Sequence, residues 1–104
     1  MTTLSALIAE PKNFSDKAFS ILSESISTEL RAIEQDQVAD SLTRYDILWI
    51  RLGLTLRAPD IPDNPRCRIV VTATTGTDHI DIDALKQQES IHFLYAINMS
   101  FSKQ

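Results

Sequence analysis

Apolar positions along this chain come in five short blocks, separated by polar stretches with helical spacing. Residues 4–9 (LSALIA) form the first block. It ends at Glu10-Pro11, where proline forbids continuation as a central strand. Phe14-Ser15-Asp16 then reads as a helix start. Ser15 can cap, Asp16 suits the positive helix end, and Phe14 and Phe19 stand at staple spacing. Ala18, Phe19, Leu22 and Ile26 recur at helical intervals, so one face should be buried while Lys17, Ser20 and Glu24 stay wet. Residues 30–33 make a weak second strand flanked by charges, as suits a sheet edge. Asp36 is placed to cap a second helix with Val38, Ala39 and Leu42 inward.

Residues 46–52 (DILWIRL) are the clearest buried strand. Ile47, Leu48, Trp49 and Ile50 run without alternation, the mark of a strand covered on both faces and hence of a parallel sheet. Residues 53–66 hold Pro59, Pro62 and Pro65 and should cross over with little helix. The β-branched run in residues 68–73 predicts a fourth strand. Asp81 should cap a third helix to about residue 88, with Ile80 and Leu85 as its staple. Residues 91–96 predict a fifth strand, followed by a polar tail at 98–104. Strands alternating with helices imply an α/β domain with right-handed crossovers. The simplest topology is a flavodoxin-like, three-layer domain: a five-stranded parallel sheet of order 2-1-3-4-5 with helices on both faces.

A chain of 104 residues holds one domain of this kind. Its 43% apolar and 23% charged residues are the balance of a folded soluble protein. Its apolar runs are strand length, well short of the roughly 20 residues of a membrane helix. Residues 1–10 lack the features of a secretory leader, and the single Cys67 cannot form an internal disulfide, so a cytoplasmic location is expected. The net charge of −4 argues against nucleic-acid binding. Charge is uneven, however: residues 51–68 carry Arg51, Arg57, Arg66 and Arg68 against Asp60 and Asp63, a local excess that could draw a small anion.

Counting glycines narrows the chemistry. Only Gly53 and Gly76 are present, so neither a G-x-G-x-x-G dinucleotide loop nor a Walker phosphate loop can form in these residues. The places that would carry a receiver domain's acids and lysine read Glu10, Arg51 and Ala96, and a carboxylate at Glu10 would repel a phosphate after the first strand. One cysteine and two separated histidines offer no zinc spacing. His79, between Asp78 and Asp81, suits structural hydrogen bonding better than general-base work. What remains is the turn at residues 74–77, at the carboxyl end of the fourth strand. Arg51, ending the third strand, would lie on the same sheet edge. Backbone N–H groups exposed by Gly76 beside that arginine would suit a carboxylate.

The run YDILWIRLG followed by RIVVTATTGTDHIDIDALKQQ resembles the N-terminal, substrate-binding domain of the D-isomer-specific 2-hydroxyacid dehydrogenases. Gly76, Asp78, His79, Ile80, Asp81 and Ala84 fit that family's Gly-x-Asp-(His/Asn)-Ile-Asp turn and the helix after it. The resemblance implies two-domain NAD(P)-dependent oxidoreductases with substrate in the cleft between domains. It implies backbone N–H groups of Thr75 and Gly76 on the substrate carboxylate, and Asp78, His79 and Asp81 as shapers of the turn. The family's catalytic arginine, acid and histidine, and its NAD or NADP loop, belong to the other domain.

Departures begin near the fifth strand. Ser90-Ile91 stands where the family has Gly-Ile, and residues 95–104 show neither a small-residue hinge nor a long helix. The expectation is therefore a stand-alone or truncated substrate-binding half. It would bind a 2-hydroxy or 2-oxo carboxylate weakly, hold no NAD or NADP by itself, and lack catalytic residues. Its partner would be an NAD-binding domain or, as a non-catalytic regulatory module, further copies of itself through Leu52, Leu54, Leu56 and Phe101.

Overall fold

The computed structural model of the chain describes residues 4–12, 14–51, 53–72, 79–87 and 91–95. Five strands appear in it: β1 (Ser5–Ile8), β2 (Ser27–Leu30), β3 (Ile47–Ile50), β4 (Ile69–Thr72) and β5 (His92–Tyr95). They form one parallel sheet in the order β2-β1-β3-β4-β5, the expected flavodoxin-like topology. Helices α1 (Asp16–Ser23), α2 (Val38–Arg44) and α3 (Ile82–Gln87) connect them. The first crossover runs one way along the sheet and the others run back. Right-handed connections therefore put α1 on one face and α2 and α3 on the other.

Burial follows from that arrangement. Alternate strand residues Leu7, Leu48, Ile50 and Val70 pack with Val38 and Leu42 of α2 and Leu85 of α3. The residues between them, Ile8, Trp49 and Val71, form a smaller cluster on the opposite face with Phe14, whose ring meets Trp49 edge-on at 4.9 Å. Because β3 is covered on both faces, its apolar run shows no alternation. Helix starts follow local chemistry: Ser15 Oγ accepts the Ala18 N–H (3.2 Å), and Asp81 Oδ1 accepts the Ala84 N–H (3.0 Å).

Two expected elements are corrected. The second strand is Ser27–Leu30, three residues before the expected 30–33. Its residues are exposed or half-exposed, so it carries no apolar signature and is held by backbone pairing with β1. Ile33, which suggested the strand, is instead a core residue just past it, and its N–H donates to the Ala9 carbonyl (3.3 Å). Asp36 does not cap α2. It lies inside a 3-10 turn, Gln35–Gln37, started by the Gln37 side chain folding back to accept the Glu34 N–H (2.7 Å). The expected limits at Ala73, Gln88 and Ala96, and the tail at 98–104, lie outside the described residues.

The amino edge of the sheet is tied by Asp46. Its carboxylate accepts the Ser5 N–H (2.8 Å) and hydroxyl (3.2 Å) and pairs with Arg66 Nε (3.2 Å). Burial pushes the Asp46 carboxyl up, but the Ser5 N–H and Arg66 outweigh it and hold it below the ordinary 3.8. A depressed folded value stabilises the fold above the unfolded value, and that contribution is lost as pH falls through the folded one. Asp46→Asn is expected to cost about 1–2 kcal/mol at pH 7. Urea midpoints of the two proteins should converge below about pH 4, and a gap that stays constant to pH 2 would contradict the assignment.

Candidate functional site at the carboxyl edge of the sheet

Parallel strands bring their carboxyl ends to one edge. Beyond β1 lie Ala9, Glu10, Pro11 and Lys12; beyond β3 lie Arg51 and Gly53. Pairing of Ile50 with Thr72 sets Arg51 beside the carboxyl end of β4. Of the residues expected to hold a substrate carboxylate, Arg51 is described, while Thr75 and Gly76 lie outside the described residues, as does the turn-shaping Asp78.

Arg51 faces the β1 side of this edge. Its Nη1 donates to the Lys12 carbonyl (3.1 Å), and its backbone N–H donates to Glu10 Oε2. The Gly53 N–H donates to the other carboxylate oxygen, Glu10 Oε1 (2.9 Å). Glu10 thus bridges two backbone donors of the loop after β3. Gly53 leaves room for this approach: a Cβ there would meet Glu10 Oε1, and the carboxylate would have to shift. Sequence reasoning saw Glu10 only as a charge that would repel phosphate. A carboxylate just past a strand, facing a glycine-containing exit from the neighbouring strand, was the available signal. Beside this bridge opens a cavity of about 500 Å³, with Ala9, Lys12, Ile33 and Leu54 among its lining residues.

The end of β4 and the start of α3 are tied together. His79 is buried, and its Nε2 lies 3.3 Å from Oγ1 of buried Thr72, the last residue of β4. The His79 carbonyl accepts the Leu56 N–H (2.8 Å), and the Leu56 carbonyl accepts the Asp81 N–H (2.7 Å). This two-residue parallel bridge, Leu56 with Ile80, pins the proline-rich crossover against the start of α3. It also corrects one expectation. Leu54 and Leu56 are 4% and 0% exposed, so they belong to the core and cannot form a contact face between copies of the chain. Leu52 and Phe101 lie outside the described residues.

Other chemistry is absent from the described part. Cys67 is buried, its Sγ donates to the Ile69 carbonyl (3.2 Å), and burial pushes its thiol up to about 11, so it is no nucleophile at neutral pH. Among the described residues no group of three or more acidic, histidine or cysteine side chains could hold a metal ion. No helix among them is long and apolar enough to cross a membrane.

Residues 6–96 match the family model described as "D-isomer specific 2-hydroxyacid dehydrogenase, catalytic domain". A curated relative, the erythronate-4-phosphate dehydrogenase of Shewanella sp. (strain MR-4), is 29% identical over 82 residues. The match takes in 79% of this chain and 21% of that protein, so the chain spans about a fifth of the relative's length. Solved structures share the fold at lower identity. The PH0520 protein of Pyrococcus horikoshii OT3 superposes with a TM-score of 0.79 at 12% identity, over 90% of this chain and 28% of the other. The NAD+-bound 3-phosphoglycerate dehydrogenase of Entamoeba histolytica does so with a TM-score of 0.67 at 19% identity, over 91% and 33%.

Proposed function

Because the chain belongs to the D-isomer-specific 2-hydroxyacid dehydrogenase family, through that family's catalytic domain, we propose that it is the substrate-binding half of an NAD(P)-dependent 2-hydroxyacid dehydrogenase of the cytoplasm. Its ligand is a small 2-hydroxy or 2-oxo carboxylate. Its partner is a cofactor-binding half that supplies the hydride donor and the acid–base groups.

The observation that carries this reading is the register of β3 and β4. With Ile50 opposite Thr72, Arg51 leaves β3 at the level where β4 ends. In this reading the N–H groups of Thr75 and Gly76 hold the carboxylate, and Arg51 adds its charge by turning from the Lys12 carbonyl toward β4 when ligand binds. His79 and Asp81 hold the far side of the turn, with Asp78 inside it. Nicotinamide cofactor has no seat of its own in these residues, because two glycines cannot make the pyrophosphate loop.

Magnitudes set the expected affinity. Two backbone N–H bonds to a carboxylate contribute about 1.5–3 kcal/mol each. Immobilising the ligand costs on the order of 4 kcal/mol or more. The surplus is at most about 2 kcal/mol, so the Kd should be no better than roughly millimolar and is expected at about tens of millimolar or weaker. The purified chain is therefore expected to oxidise no NADH with glyoxylate, pyruvate or hydroxypyruvate. Glyoxylate should nonetheless move the Thr75 and Gly76 amide resonances, with a midpoint of about tens of millimolar or weaker. Turnover by the chain alone, or silent amides at both positions, would refute the reading.

A further inference from the structure

An anion-recognising feature lies between the exits of β1 and β3, and its ligand is already present as part of the chain. Strand order reverses between β1 and β3, so the crevice past their carboxyl ends is the switch point where ligands of open α/β sheets bind. There the N–H groups of Arg51 and Gly53 converge on the two oxygens of one carboxylate, that of Glu10. Each donor takes a separate oxygen, the forked geometry that a planar carboxylate satisfies. Gly53 lets the carboxylate come this close. The adjoining cavity, of about 500 Å³, opens on Glu10 and Gly53 and is otherwise lined largely by apolar side chains, including Ile33 and Leu54.

We propose that the Arg51 and Gly53 N–H groups form a carboxylate-binding notch, filled in cis by Glu10, which a free short-chain aliphatic carboxylate can occupy when the Glu10 side chain is removed. The head would take the two N–H groups and the alkyl body would enter the apolar cavity. In the unmodified chain the tethered carboxylate has a high effective concentration and excludes free competitors. One consequence rests on the function proposed above. With this notch filled, a substrate carboxylate arriving at the same edge is left the turn after β4.

The test uses the 104-residue chain and sodium butyrate. Glu10→Ala is expected to lower Tm by about 5–10 °C, since two loop donors lose their acceptor. Butyrate at neutral pH should restore most of that loss in a saturable way. In a 15N spectrum it should move the Arg51 and Gly53 amides of Glu10→Ala while leaving those of the unmodified chain in place. Sodium chloride and inorganic phosphate at equal ionic strength should do neither. Should Glu10→Ala fail to fold, Glu10→Gln keeps one acceptor oxygen and should shift one of the two amides while sparing the other. The proposal is overturned if butyrate leaves both amides of Glu10→Ala unmoved, if chloride or phosphate acts equally, or if Glu10→Gln keeps both unmodified shifts. None of these readouts involves NADH or the 74–77 turn, so failure here and failure of the dehydrogenase reading are separable.

Discussion

Leu48→Ala is expected to cost the fold about 3 kcal/mol, within the 2–5 kcal/mol range of leucine truncation in a packed core. Leu48 is fully buried at the centre of β3, paired across to Leu7 on one side and Val70 on the other. Its side chain lies in the cluster that joins the sheet to α2 and α3, so truncation leaves a void that three elements would have to close together. Domains of this size have a total stability of about 5–15 kcal/mol, so the loss is about a fifth to three fifths of it. Leu30→Ala is the matched control. Leu30 ends the edge strand β2 and is 44% exposed, so its truncation should cost no more than about 0.5 kcal/mol. Urea unfolding monitored by Trp49 fluorescence would separate the two, with similar slopes and different midpoints. Equal midpoints would mean that the sheet is not the stability core.

The contrast between these two leucines also explains what the sequence could reveal. β1, β3 and β4 are buried on both faces, and their unbroken apolar runs are the signal that marks them. Parallel pairing, helix alternation and the order of the sheet all follow from them. β2 carries the opposite pattern. Its position depends on backbone bonds to β1, and nothing in Ser27-Thr28-Glu29-Leu30 marks it as a strand. The nearby apolar residues Ala32 and Ile33 drew the expectation three places too far. At the candidate site, the place of Arg51 beside the end of β4 was legible because strand ends in a parallel sheet share an edge. The Glu10 bridge was not. It joins residues 41 and 43 positions apart, a separation that local pattern does not encode. Leu54 and Leu56 were misread for a related reason. In a proline-rich crossover an alternating leucine pattern looks like a surface stripe until a partner strand is known, and here that partner is the Leu56–Ile80 bridge.

The same bridge makes His79 the residue whose loss should most disturb the region around the 74–77 turn. Its ring lies between the end of β4, through Thr72, and the start of α3, and both His79 and Thr72 are buried. A catalytic base must reach the substrate, and a ring 6% exposed that hydrogen-bonds a strand terminus is better fitted to positioning. His79→Ala should cost about 2–3 kcal/mol, from the cavity and from the bond lost to Thr72. His79→Gln, which can still reach the Thr72 hydroxyl, should recover part of it. Pairing His79→Ala with Thr72→Val isolates the bond itself, with an expected coupling of about 0.5–1.5 kcal/mol. A positioning role makes one further demand that a purely structural one does not: the glyoxylate midpoint at the Thr75 and Gly76 amides should rise in His79→Ala and return toward the original in His79→Gln. A coupling near zero with an unchanged midpoint would remove His79 from the site altogether.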